Sequence, residues 1–210
     1  MALILGLSGK EIEKLSMKII EEELGETNFT PQELEIVKRV IHATADFDFA
    51  KSIRFHKAAI KKGIAALKNG KTIITDTKMA ASGISWYLLK EGKKQIVTPI
   101  SFHECKEKAK KNGSTLSEAA MELSVKFSPG IIVIGNAPTA LLKVIKLVKK
   151  RVLSPDLIIG VPVGFVNAKE SKEELLKQDL VPFITTIGRK GGTPVGVAIV
   201  NALIRLMHSR

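Results

Sequence analysis

Along the C-terminal half of the chain, apolar runs break three times into loops containing Gly or Pro and then resume with helical spacing. The segments read IIVIGNAPTALLKVIKLV from Ile131, LIIGVPVGFVNAKESKEELL from Leu157 and FITTIGRKGGTPVGVAIVNALI from Phe183. A short apolar run that stops at a turn and restarts as a helix is the pattern of a buried strand feeding a covering helix. Thr72 to Thr75 and Ile96 to Ile100 have the same form, so with Ile131 to Ile134, Leu157 to Val161 and Pro182 to Ile187 five strands are expected. Strands apolar on both faces belong to a parallel sheet covered on both sides. The predicted fold is α/β: a three-layer α/β/α arrangement with a mostly parallel central sheet of about five strands.

Ahead of these runs the spacing is helical, which predicts an N-terminal helical segment. Ile12, Leu15, Ile19, Ile20 and Leu24 form one stripe starting near Ser8, and Gly25 stops it. Thr30, Pro31 and Glu33 make a capping box with proline at the first helical position, and Leu34, Val37 and Ile41 share the following helix's buried face. A third helix is predicted from Ser52 to Leu67, ending at Asn69 and Gly70. A last one is predicted from Pro194 to Met207.

Composition narrows the classes. A chain of 210 residues with 45% hydrophobic content can bury one full core, and with no linker visible residues 1–210 are read as a single domain. The net charge of +12 attracts polyanions, whether nucleic acid, anionic membrane or a small molecule. The lysine runs at 106–111 and 146–150 fall on helix faces that solvent would cover, and 5% aromatic content supplies few stacking platforms, so no nucleic acid partner is expected. No apolar stretch is long and uninterrupted enough for a bilayer, and no membrane partner is expected. One cysteine, Cys105, excludes an intrachain disulfide and fits a reducing compartment, which predicts the cytoplasm.

Four places carry candidate chemistry. His42 lies near the end of the well-capped second helix, one turn after Arg39, and is the only histidine in such a setting. Imidazole exchanges protons near neutral pH; a helix C-terminus favours its charged form and a nearby arginine opposes it. The same position also suits a histidine bonded to a backbone carbonyl. Asp76, Thr77 and Lys78 follow a strand directly and emerge at a crevice-facing loop; Asp76 or Thr77 also suits the cap of the next helix, and the two roles are compatible. In GNAPTA from Gly135, Asn136 and Thr139 stand beside a helix N-terminus whose amides favour an anion. In GRKGG at 188–192, Arg189 and Lys190 offer two cations between glycines that permit close backbone approach. No histidine pairs with another at metal-ligand spacing, so no protein-bound metal is expected. A GxGxxG after a strand, a phosphate loop and a GxSxG elbow are all absent, which argues against nucleotide cofactors and covalent catalysis.

Taken together, RVIHATADFDFA, TDTKMAASGI, IGNAPTAL, GVPVGFVNAKESKE and GRKGG, in this order and spacing, resemble the precorrin-8X methylmutase family of corrin (vitamin B12) biosynthesis, from about Ile12 to Leu206. The resemblance implies an isomerase that moves a methyl group from C11 to C12 of a (cobalt-)precorrin-8 macrocycle, a 1,5-sigmatropic shift giving a corrin. It implies His42 as the catalytic proton donor and acceptor. As substrate-binding residues it implies Ser16, Arg39, Thr44, Asp76, Thr77, Lys78, Asn136, Thr139, Gly164, Arg189 and Lys190. No cofactor is implied, any cobalt belonging to the substrate, and the partners implied are an anionic tetrapyrrole and a second copy in a homodimer. Three positions depart from the family pattern: Lys78 where many relatives have Asn, and Leu116 and Ile187 where Arg is common. A noncatalytic carrier of an anionic tetrapyrrole is the other reading that these residues leave open.

Overall fold

The computed structural model describes residues 6–85 and 96–209. Two long helices open the chain, α1 (Gly9–Leu24) and α2 (Pro31–Thr44), and both begin with the reciprocal hydrogen bonds of a capping box, Ser8 with Glu11 and Thr30 with Glu33. The α1 stripe is only partly used: Ile20 is buried, whereas Ile12 is 53% exposed. On α2, Val37 and Ile41 are buried as expected and Leu34 is half-buried.

The helix expected over Ser52 to Leu67 is instead three elements, α3 (Asp48–Ser52), β1 (Ile53–Phe55) and α4 (Ala59–Lys68). A three-residue strand carries almost no periodic signal of its own. It forms because Ile53, Arg54 and Phe55 pair antiparallel with Thr186, Thr185 and Ile184. The outer side of β1 is closed by its own Arg54, whose guanidinium donates to the carbonyls of Lys51 and Ile53 at 2.9 and 2.8 Å.

Then follow β2 (Ile73–Thr75), α5 (Lys78–Gly83), β3 (Ile96–Val97), α6 (His103–Asn112), α7 (Leu116–Ser124), β4 (Ile131–Ile134), α8 (Pro138–Lys149), β5 (Leu157–Gly160), α9 (Ala168–Leu176), β6 (Phe183–Thr186) and α10 (Thr193–His208). Among the described residues the sheet has six strands in the order β1-β6-β5-β4-β2-β3, parallel except for β1, one strand more than expected. β3 is shorter than its apolar run because Pro99 turns the chain into a 3-10 turn at Pro99–Ser101.

Alternation along the strands builds a core on each side. Ile131, Val133, Leu157 and Ile159 join the α2, α4 and α10 side, and Ile132, Ile134 and Ile158 join the α6 to α9 side. All four β4 residues are fully buried, each worth roughly 1.5–3 kcal/mol relative to exposure. α1 packs on α2, outside the layer that covers the sheet.

The chain passes from β2 to β3 at the edge and then returns to β4 on the other flank of β2. Loops diverge at such a reversal, and in open α/β sheets ligands collect at the strand carboxyl ends beside it.

Candidate active site

Three of the expected site residues, Asp76, Thr77 and Asn136, meet at this reversal. Thr77 caps α5, its hydroxyl accepting the Ala80 N–H at 3.1 Å. Asp76 reaches across to the loop after β4, where its Oδ2 accepts the N–H groups of Gly135, Asn136 and Ala137 at 3.1, 2.7 and 3.0 Å. The amides ahead of α8, read from sequence as a seat for an external anion, are therefore occupied by the protein's own carboxylate. Asp76 is only 2% exposed, and its Oδ1 is buried with no hydrogen-bond partner among the described residues. Burial pushes its carboxyl above the ordinary range, outweighing the three amide bonds.

The neighbouring loops interlock by close backbone approach. A side chain on Gly135 would lie 2.7 Å from the Thr193 Cα at the start of α10, and one on Gly191 would lie 2.3 Å from the Val161 carbonyl. The Gly192 N–H donates to that same carbonyl at 2.8 Å, and the Gly164 N–H to the Arg189 carbonyl at 3.3 Å. With its backbone tied down, GRKGG sends its two cations in different directions. The Arg189 guanidinium lies 5.5 Å from the ring centroid of Phe165, itself 84% exposed, beside the equally outward Val166. The Lys190 ammonium donates to Asp46 Oδ2 and Asp48 Oδ2, both at 2.7 Å, just beyond the end of α2.

That contact and the packing of α2 on α10 bring His42 beside the first turns of α10. Its exposed ring lines a pocket of about 510 Å³ with Ile12 and Glu13 of α1, Arg39 of α2, Ser85, and Pro194, Val197, Asn201 and Arg205 of α10. Glu13 is bonded by the Arg39 guanidinium, and Arg205 lies 3.2 Å from the same carboxylate oxygen. Arg39 holds the Glu13 carboxyl below its usual range, with Arg205 and His42 adding to the effect. Asn201 fixes the opposite wall, accepting the Ser85 N–H at 2.8 Å and donating to the Gly83 carbonyl at 3.0 Å. The pocket therefore sets one imidazole and two guanidiniums around a carboxylate that a ligand carboxylate can replace.

None of the other expected residues lines this pocket. Ser16 bonds the Ile12 carbonyl within α1, and Thr44 bonds the Val40 carbonyl within α2. Lys78 is exposed at the first position of α5, Asn136 is exposed at the loop after β4, and the Thr139 hydroxyl accepts a hydrogen bond from Thr115 at 3.3 Å. Leu116 and Ile187 are 42% and 38% exposed. Sequence reasoning missed Glu13, Asn201 and Arg205. The available signal was an Asn and an Arg, four residues apart, inside the otherwise apolar α10. It also missed Lys172 on α9, which is fully buried.

Among the described residues no group of three or more His, Cys, Asp or Glu is placed to hold a metal ion, and no helix is long and apolar enough to cross a membrane.

Comparison with known proteins bears on the same residues. Residues 11–206 match the family model for precorrin-8X methylmutase. The chain is 44% identical to the cobalt-precorrin-8 methylmutase of Leptospira interrogans, over 96% of both chains, and 45% identical to that of Methanocaldococcus jannaschii, over 95% of this chain and 92% of the relative. A precorrin-8X methylmutase from Sinorhizobium is 33% identical over 94% of each chain. The solved structure of the precorrin-8X methylmutase from Thermus thermophilus superposes with a TM-score of 0.87 at 37% identity, covering 95% of this chain and 96% of that one. A chain matched over nearly its whole length in both sequence and fold belongs to the precorrin-8X methylmutase family.

Proposed function

We propose that this protein is the isomerase that moves the C11 methyl group of (cobalt-)precorrin-8 to C12, giving the corrin, with His42 as its proton donor and acceptor. The observation that carries this reading is the pocket in which an exposed imidazole stands beside the Arg39 and Arg205 guanidiniums in a chain of this family. Protonation at a ring C nitrogen makes the macrocycle electron-poor and favours migration: one C–C bond breaks at C11, one forms at C12, and the proton returns to the imidazole. Substrate and product are isomers, so neither a redox cofactor nor a methyl donor is required, and any cobalt arrives with the substrate.

The protein's other task is to keep the macrocycle in a reactive pose. The peripheral carboxylates find Lys78 and Arg189 at the strand-end loops and Arg39 and Arg205 in the pocket, within a field of net charge +12 that draws polyanions in. The exposed apolar side chains Met79, in the first turn of α5, and Val163 and Phe165, on the loop after β5, suit the flat macrocycle face. A homodimer is supported by the groove of about 890 Å³ along α1, where Leu7, Leu15 and Met17 lie among charged residues of both signs, Glu11, Lys14, Lys18, Glu21 and Glu22, and sedimentation at the mass of a single chain under assay conditions would remove it. The single buried Cys105 suits the cytoplasm.

The test is an anaerobic absorbance time course with precorrin-8 and, separately, cobalt-precorrin-8, for wild type and His42→Ala. Corrin absorbance with wild type alone is expected. A tetrapyrrole bound but unchanged by wild type overturns the isomerase in favour of a carrier, and near wild-type turnover by His42→Ala overturns the role of the histidine.

A further inference from the structure

Lys172 is the most unusual charged residue of the fold. It projects from α9 into the core with 0% exposure. Among the described residues no carboxylate lies within ion-pair distance, whereas the other buried lysine, Lys38, is paired with Glu21 and Glu35 at 2.9 and 2.6 Å. The Lys172 Nζ instead donates to the Lys190 carbonyl at 2.7 Å and to the Thr186 hydroxyl at 3.2 Å, while that hydroxyl donates to the same Lys190 carbonyl at 2.9 Å. Burial pulls the amine down to about 8. A methionine would fill similar space without the desolvation cost, so packing alone does not account for an amine here.

What the amine bonds is the backbone of GRKGG, at the residue whose side chain reaches α2. Lys190 is bonded on its carbonyl by Lys172 and Thr186, and on its ammonium by Asp46 and Asp48. Asp46 is joined to α2 in turn: its N–H donates to the Thr44 hydroxyl at 3.3 Å, and that hydroxyl donates to the Val40 carbonyl at 2.9 Å. The last turn of α2 that receives these bonds carries His42. A continuous set of bonds thus runs from the core, through one loop residue, to the helix end that presents the imidazole.

We propose that Lys172 is a positioning residue for the methyl transfer, fixing the Lys190 backbone so that the Lys190 ammonium, through Asp46 and Asp48, holds the end of α2 where His42 can reach the macrocycle. The proposal rests on the methylmutase reading for its kinetic consequence but not for its structural one. A displacement of about 1 Å in a reacting group can cost on the order of 100-fold in rate, so a residue that touches no substrate can control turnover.

The test uses Lys172→Met and, because that change is in the core, the surface double variant Asp46→Asn/Asp48→Asn, which breaks the same set of bonds at its other end. Two readouts are taken: kcat and KM on whichever of precorrin-8 and cobalt-precorrin-8 wild type converts, and the proton NMR lines of the four histidines, at 42, 56, 103 and 208, with His42 assigned from His42→Ala. The expected result is a kcat about 10- to 100-fold lower with KM changed much less, together with a shift of the His42 line and not of the other three, in folded protein. A folded variant of either kind whose His42 line stays in place, or whose kcat stays within about twofold of wild type, overturns the proposal. Should Lys172→Met fail to fold, the surface double variant decides alone. Absence of turnover by wild type itself would strike the methylmutase reading and leave the NMR arm to decide whether Lys172 positions His42.

Discussion

Asp76 accepts the Asn136 backbone N–H at 2.7 Å across the point where the sheet reverses direction, and the same oxygen takes the amides on either side. The carboxylate joins the loops after β2 and β4 and fills the anion seat ahead of α8. Those three amides are therefore already taken and are not free to receive a ligand carboxylate.

Removing that carboxylate should be costly. Asp76→Ala orphans three N–H groups and is expected to lose about 3 kcal/mol or more in urea unfolding. Asp76→Asn isolates the titration. Burial raises the folded carboxyl above its ordinary 3.8, so its contribution to stability is full below that value and is lost as pH rises through the folded value. The stability gap between wild type and Asp76→Asn should accordingly be widest in acid and narrow towards neutrality. A gap that widens with rising pH contradicts this.

Glu13 occupies Arg39 and Arg205, the two guanidiniums proposed to take substrate carboxylates. Glu13→Gln removes the rival charge and keeps the shape, so KM should fall about 3- to 10-fold with kcat little changed, most clearly at low ionic strength. An unchanged or raised KM would show that these guanidiniums do not take substrate carboxylates.

Gly135→Ala sets a methyl group against the Thr193 backbone, where no side-chain rotation can make room. A loss of about 1–3 kcal/mol is expected in thermal or urea unfolding. Wild-type stability would mean that the loop after β4 and the start of α10 separate freely.

Phe165 and Arg189 extend outward from adjoining loops. Phe165→Ala should leave the unfolding free energy within the scatter expected of a surface change, about 0.5 kcal/mol, while raising KM several-fold. A KM equal to wild type would place the macrocycle elsewhere.

The parts of the fold readable from sequence were those whose cause is local. Ser8 with Glu11 and Thr30 with Glu33 make their own hydrogen bonds within one turn, and the run Ile131 to Ile134 is apolar whichever face it shows. β1 was not readable because Ile53 to Phe55 become a strand only by pairing with residues 129 or more positions later. The site divides in the same way. His42 was visible from its helix end, but the partners of Asp76 lie about 60 residues away, and Lys172 looked like any lysine of a surface helix. Glu13 and Arg205 come from opposite ends of the chain and meet only because α1 and α10 both border α2.

The guanidinium of Arg54 has a consequence for assembly. An open strand edge is a template on which another chain can continue the sheet, and arginine bonded to the Ile53 carbonyl, and to that of Lys51 at the end of α3, spends a strand acceptor that such a chain would need and lays a charged side chain there. That flank of the sheet is therefore protected against being extended by another strand, and a contact made there would be between side chains, separable without unzipping backbone.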